Sequence, residues 1–345
     1  MRWTRRHVLD TDDWSREEIE AVLDQTRAMT EILRRPIRRA PPLRGRTVIL
    51  FFAEASTRTR VSFELAAKAL SADVTNITAS GSSVEKGESL FDTVRTLQAL
   101  GGDVVVMRHA SSGAPYFVAE RTDAAVINAG DGWHAHPTQG LLDAYTLRDA
   151  LGDLDGKRIV IVGDVLHSRV ARSDINTLTP LGARITLSGP PTLIPTAWRC
   201  GSLPPGVTYE ADLDQALESA DAVIALRLQR ERQESGLLPS LREYSRVWGL
   251  TADRVKRMRP GAPVMHPGPM NEGVEIDAAV AHGVSSLIET QVTNGVAVRM
   301  ALLFLLAGAP ARSGALPPGA PTPSGAPAPG APTPTGRGIA DGDGA

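Results

Sequence analysis

Near-continuous apolar runs punctuate the chain: RTVILFFAE, DVVVMRH, AAVINAG, KRIVIVGDV, ARITLSG, DAVIALRL and APVMHPG. Runs this short, set between stretches of helical period, predict parallel strands covered on both faces by helices, and so an α/β class. After Arg58 the residues Val61, Leu65 and Ala69 recur at i, i+4 and i+8, the spacing of one helix face. Asp212 to Ala220 and Gly295 to Leu306 carry further helical patterns. The stretch HPTQGLLDAYTLRDALGDLDGKRIVIVGD reads as one helix leading into a new strand, with a turn from Gly152 to Gly156 between them.

At 345 residues the chain exceeds the roughly 100–200 usual for one domain, so two are expected. We place them at 1–145 and 146–293, with the boundary inside the helix near Tyr145. A last helix, about 294–307, should pack back on the first domain. From Gly308 the composition is almost wholly Ala, Pro, Gly, Ser and Thr, too poor in apolar surface to offset ordering, so 308–345 reads as a disordered tail.

Charge narrows the function classes. With 37 Lys and Arg against 39 Asp and Glu, no broad field attracts nucleic acid or an anionic membrane, and any anion site must be local. The single cysteine, Cys200, and the lack of clustered Cys/His spacing fit a reducing cytoplasm and suggest no metal. The N-terminus has no apolar core of signal-peptide length, and the run ALLFLLAG is too short to span a bilayer.

The candidate anion site lies in FFAEASTRTRVSFELAAKAL, which reads strand, hydroxyl-rich turn, helix. A helix N-terminus offers unpaired N–H groups and the positive end of its dipole. Ser56, Thr57 and Thr59 add hydroxyls, and Arg58 adds a guanidinium whose fork matches phosphate oxygens. A plain helix cap with solvated arginines is the alternative for the turn alone. Arg108 ends an apolar strand, and the carboxyl ends of parallel strands are where α/β proteins place ligands.

The string Ser56-Thr57-Arg58-Thr59-Arg60 resembles the carbamoyl-phosphate signature of the aspartate and ornithine carbamoyltransferase family. SSVEKGES at Ser82–Ser89, MRH at Met107–His109, HPTQ at His136–Gln139, SRVARS at Ser168–Ser173, RLQRER at Arg227–Arg232 and HPGP at His266–Pro269 follow in family order. The resemblance spans roughly residues 1 to 307. It implies a carbamoyl-phosphate domain followed by an amino-acid domain. Ser56, Thr57, Arg58 and Thr59 would cradle phosphate, and Thr59, Arg108 and His136 would hold the carbonyl oxygen. Gln139 and the backbone around Pro267, Gly268 and Pro269 would hold the carbamoyl NH2, whose donors need acceptors. Arg169, Arg227 and Gln229 would grip the second substrate, with Gln229 on the side of Arg227 if the strand continues. Ser82 and Lys86 would reach in from a neighbouring subunit, implying a homotrimer or a multiple of one, with regulatory or dihydroorotase chains as further partners. Arg230 and Arg232 fall in the loop that closes over the amino acid in the family. No cofactor is implied.

HPGP, rather than the HCLP of the ornithine enzymes, the lack of an SMG motif, and the set Lys86, Arg227 and Gln229 point to L-aspartate as acceptor, a reaction early in pyrimidine synthesis. An ornithine enzyme and a non-catalytic scaffold are the alternatives. A nicotinamide dehydrogenase is disfavoured because Gly163 is followed by Asp164, Val165 and Leu166 instead of the G-x-G-x-x-G spacing. Asn271-Glu272-Gly273 departs from the NRG common in the family.

Overall fold

The computed structural model describes residues 3–78, 90–229, 237–238 and 240–307. Two parallel sheets organise it. The first contains β1 (Thr47–Phe52), β2 (Asp73–Thr78), β3 (Val104–His109) and β4 (Ala125–Asp131) in the order β2-β1-β3-β4. The second contains β5 (Arg158–Val162), β6 (Arg184–Ser188), β7 (Val207–Tyr209), β8 (Ala222–Ala225) and β9 (Val264–Met265) in the order β7-β6-β5-β8-β9.

Alternation along the strands shows why both faces must be covered. Val48, Leu50 and Phe52 of β1 enter one apolar cluster, while Ile49 and Phe51 enter another on the opposite face. Ile159 and Ile161 of β5 join the first cluster, which therefore runs from one sheet to the other, and Val160 and Val162 face a third. Each expected apolar run contains a strand. The two strands that pattern did not predict, β2 and β7, are outermost in their sheets. The sequence of β2, DVTNIT, is half-buried at best along its length, so it offers no apolar run to read.

The helix after Arg58 forms as expected, Thr57–Ala69, but on a different face. Phe63, Ala66 and Ala67 are buried, whereas Val61 and Leu65 of the predicted stripe are 40% and 53% exposed. Small residues pack close to the sheet there, and regular spacing alone does not say which stripe is covered. The Asp212 to Ala220 pattern yields only Leu213–Leu217, capped by Asp212.

Two helices connect the sheets. Every residue of Pro137–Leu151 from Pro137 to Leu147 is buried, so it has no solvent stripe, as befits a helix enclosed on all sides. The last helix is longer than its apolar run suggested, Ile288–Ala307, and ALLFLLA is its final part. By length and composition it could cross a membrane. It lies instead against the helices Arg16–Arg34, Thr57–Ala69 and Pro137–Leu151, with Gln291, Asn294 and Arg299 buried.

Gly140 fixes how closely Pro137–Leu151 meets the Arg169–Leu178 helix of the second sheet. A Cβ there would stand 2.6 Å from the Ser173 carbonyl oxygen and 2.7 Å from Thr177 Oγ1. Backbone cannot yield as a flexible side chain would. Gly140→Ala is therefore expected to destabilise the protein by ~1–3 kcal/mol in denaturant unfolding, despite alanine's better helix propensity; an unchanged or higher midpoint would refute this packing.

Candidate active site

A cavity of about 650 Å³ lies where the carboxyl ends of the two sheets face each other. Its side chains follow β1 (Ser56 to Thr59), end β3 (Arg108), follow β4 (His136, Gln139), follow β5 (Arg169), follow β8 (Arg227, Gln229) and follow β9 (His266 to Pro269). This is the general ligand position of open parallel sheets, here built twice.

One wall is the start of Thr57–Ala69. Ser56 occupies the N-cap in an extended conformation, yet its hydroxyl makes no bond to its own helix. Both the hydroxyl and the first-turn N–H groups are thus left for a ligand. Burial, and then the Arg227 charge across the cavity, lower the Arg58 pKa. Gly268, at φ +63°, gives Arg58 its space, because a Cβ at that position would overlap the guanidinium.

The floor carries one acid between two arginines. Glu54 accepts from Arg108 Nη2 at 2.6 Å and from Arg169 at 2.9 and 3.1 Å, and Arg169 also donates to the Gly132 carbonyl at 3.0 Å. Burial alone would raise the Glu54 pKa, but the Arg169 hydrogen bond and the charges of Arg108 and Arg169 outweigh it and hold it below its ordinary value. Because Arg108 is near the end of β3 and Arg169 follows β5, this one carboxylate ties the ligand ends of both sheets together.

His136 is the N-cap of Pro137–Leu151, and its backbone N–H donates to Ser173 Oγ at 2.8 Å. Burial first, then the charges of Arg169, Arg108 and Arg299, push its pKa well below the ordinary histidine value. It is a neutral imidazole, suited to donating a hydrogen bond and too weakly basic to accept a proton at neutral pH. His266, buried beside Arg58 and Arg227, is likewise lowered to about 3.

Behind Gln139 lies a buried polar network. Gln139 Nε2 donates to Asp143 at 3.1 and 3.2 Å, and Gln291 Nε2 donates to the same carboxylate at 2.6 Å. Burial raises Asp143 to about 6, against hydrogen bonds that lower it. Asp174 is a second fully buried carboxyl; neither oxygen makes a close hydrogen bond, but burial and then the Asp143 charge drive its pKa well above the ordinary value. Arg299 completes this side. It donates to Ser62 Oγ at 2.8 Å and lies over the Phe63 ring, and burial, opposed by Asp143, lowers it to about 10.

The cavity gathers Ser56, Thr57, Arg58, Thr59, Arg108, His136, Gln139, Arg169, Arg227, Gln229, Pro267, Gly268 and Pro269. Ser82 and Lys86 lie outside the described residues, as do Arg230, Arg232 and the stretch 308–345. One premise needs correction: β8 ends at Ala225, so Arg227 and Gln229 do not share a strand face, and the loop after it brings both to the cavity. Glu54, Ser62, Asp143, His266, Gln291 and Arg299 were not anticipated. Arg299 could have been, since a charge within VAVRMALLFLL interrupts an otherwise apolar helix. Asn271 donates to Glu275 at 2.6 Å through both its backbone and side-chain nitrogens, so the Asn271-Glu272-Gly273 turn is internally braced. Among the described residues no group of three or more His, Cys, Asp or Glu side chains is placed to hold a metal ion.

Residues 6–149 match the carbamoyl-P binding domain of the aspartate/ornithine carbamoyltransferases, and residues 155–306 match their Asp/Orn binding domain. The chain belongs to this family. Similar curated relatives are the aspartate carbamoyltransferase catalytic subunits of Roseiflexus castenholzii, 60% identical over 89% of this chain and 96% of theirs, and of Chloroflexus aurantiacus, 60% identical over 89% and 100%. Among solved structures, aspartate transcarbamoylase from Trypanosoma cruzi in complex with carbamoyl phosphate and aspartate is 28% identical, with a TM-score of 0.78 over 88% of this chain and 97% of that one. Ornithine carbamoyltransferase from Pyrococcus furiosus is 26% identical, with a TM-score of 0.79 over 89% and 99%. Backbone similarity therefore does not separate the two branches of the family.

The Asp143–Asp174 pair gives this site a pH signature. A carboxyl whose folded pKa is raised contributes stability below its unfolded pKa, about 3.9, and that contribution is lost as pH rises through the folded value. Asp174→Asn removes the dependence and leaves an amide that can donate to Asp143. The variant should gain stability relative to wild type as pH rises from about 4 towards 7.5, read from paired denaturant unfolding curves. A pH-independent difference would refute the raised pKa of Asp174.

Proposed function

We propose that this chain transfers the carbamoyl group of carbamoyl phosphate to the amino group of L-aspartate, giving N-carbamoyl-L-aspartate and phosphate. The observation that carries the reading is one cavity holding Arg58 and the Thr57–Ala69 helix start on one wall and Arg227 with Gln229 on the other. Burial and then the Arg227 charge lower the Arg58 pKa, and an anion bound beside Arg58 would offset both, so the arrangement suits anionic ligands. Carbamoyl phosphate and a dicarboxylic amino acid supply them. The aspartate branch is preferred over the ornithine branch because the 60% identical relatives carry that name, and because guanidinium and amide groups suit a carboxylate.

In this reading Ser56, Thr57, Arg58 and Thr59 bind the phosphate. Thr59, Arg108 and His136 donate to the carbonyl oxygen, and their bonds strengthen as it becomes an oxyanion. Gln139 and the carbonyls of Pro267 and Gly268 accept from the NH2, and Pro269 closes that turn. Arg169, Arg227 and Gln229 orient the aspartate carboxylates. The amine nitrogen attacks the carbonyl carbon, the C–O bond to phosphate breaks, and the departing phosphate takes the amine proton. His136 is too weak a base for that proton. Positioning and electrostatics supply the rate.

Arg58→Ala should lower carbamoylation of aspartate by at least about 100-fold, the scale for losing one anion-stabilising donor, with an unchanged unfolding midpoint. Wild type assayed with aspartate and ornithine side by side should carbamoylate aspartate alone. Normal turnover by the variant would overturn the phosphate assignment, and preference for ornithine would overturn the acceptor.

We further propose a homotrimer whose sites are completed by Ser82 and Lys86 of a neighbour. The relatives' designation as catalytic subunits supports an assembly with further chains, and the open Val61 and Leu65 stripe supports coverage by another copy. A cytoplasmic location is proposed from the lone, exposed Cys200. Mixing dissociated Lys86→Ala and Arg58→Ala proteins and allowing them to reassemble should restore part of the activity, since some interfaces then combine two intact halves. Proven hybrids without recovery would count against a shared site.

A further inference from the structure

The two groups of acceptors assigned to the carbamoyl NH2 come from different sheets. Gln139 belongs to the helix that follows β4, whereas Pro267 and Gly268 belong to the loop that follows β9. Gln291, from the last helix, is hydrogen-bonded to a neighbour of each.

Its Nε2 donates to Asp143 Oδ1 at 2.6 Å, and its Oε1 accepts from the His266 backbone N–H at 2.9 Å. His266 in turn accepts from the Gly268 N–H through Nδ1 at 2.8 Å, which braces the turn. On the other side Asp143 accepts from Gln139 Nε2. A continuous hydrogen-bonded path therefore runs Gln139, Asp143, Gln291, His266, Gly268. All but Gly268 are buried, at 8% exposure or less, so water competes little for these bonds.

The polarity of the path follows from chemistry. An ionised carboxylate can only accept, so both glutamines must present NH2 to Asp143. With its NH2 committed to Asp143, Gln139 has its Oε1 as the remaining acceptor at the cavity it lines, while the Gln291 Oε1 accepts from the His266 N–H. Reversing either amide would put two acceptors face to face in a dry interior, a costly arrangement.

We propose that Gln291 is a positioning residue for the amide of the carbamoyl donor, bridging the two sheets so that the Gln139 oxygen and the Pro267 and Gly268 carbonyls converge on one NH2. This rests on the assignment of carbamoyl phosphate under the proposed function. It makes Gln291 responsible for selecting the NH2 of the donor, while the phosphate remains with Ser56 to Thr59.

The test uses full-length protein and compares equilibrium binding of carbamoyl phosphate, acetyl phosphate, which carries a methyl in place of NH2, and inorganic phosphate. Wild type should prefer carbamoyl over acetyl phosphate. Gln291→Leu should cut that preference at least tenfold while phosphate affinity stays within threefold. Gln291→Glu, which keeps the acceptor for His266 but removes the donor to Asp143, should behave alike. A merely structural glutamine would weaken all three ligands together. Retained preference in a variant that binds phosphate would overturn the proposal, as would loss of phosphate binding in both variants. Absence of any preference in wild type would instead overturn the donor assignment on which the proposal rests.

Discussion

Five guanidinium groups, of Arg58, Arg108, Arg169, Arg227 and Arg299, line a single cavity, and most of the surrounding structure can be understood as making that concentration of charge tolerable. Glu54 neutralises the central pair, Asp143 offsets Arg299, and both His136 and His266 stay uncharged. The Arg227 charge, after burial, lowers the pKa of Arg58. Such a concentration of positive charge is suited to anionic ligands, which would offset it directly.

The backbone supplies the geometry that this chemistry requires. Parallel strands end on one side of a sheet, so two such sheets with their carboxyl ends opposed create a cleft with loops on both walls. What holds the walls in register is the Pro137–Leu151 helix. It is enclosed on every side from Pro137 to Leu147, carries His136 at its start and Gln139 in its first turn, and meets the second sheet's helix through the side-chain-free surface of Gly140. An imidazole lining the cavity and a close helix crossing are thus set by the same few residues.

Central strands were legible in the sequence because burial on both faces writes an unbroken apolar run, as in Val48 to Phe52 or Ile159 to Val162. The outer strands β2 and β7 were not, since half-exposed strands mix polar and apolar residues without a distinctive period. For Thr57–Ala69 the period announced a helix but not its buried face. The ligand-facing residues were legible as far as they stand in ordered motifs. Those that support them, Glu54, Asp143, Gln291 and Arg299, act through contacts between distant parts of the chain. Their pairing distance in sequence reaches 148 residues for Asp143 and Gln291 and 237 for Ser62 and Arg299, and no local pattern encodes such a partner.

The last helix has a consequence for how the protein can change as well as for how it is built. Ile288–Ala307 supplies apolar residues such as Val298, Leu302 and Leu303 to the core shared by both sheets, and Gln291 and Arg299 to the cavity. A substitution that unseats this helix would uncover the shared core and withdraw a buried amide and a buried guanidinium from the cavity at the same time. Core packing and cavity lining are therefore linked traits, and drift in one is constrained by the other.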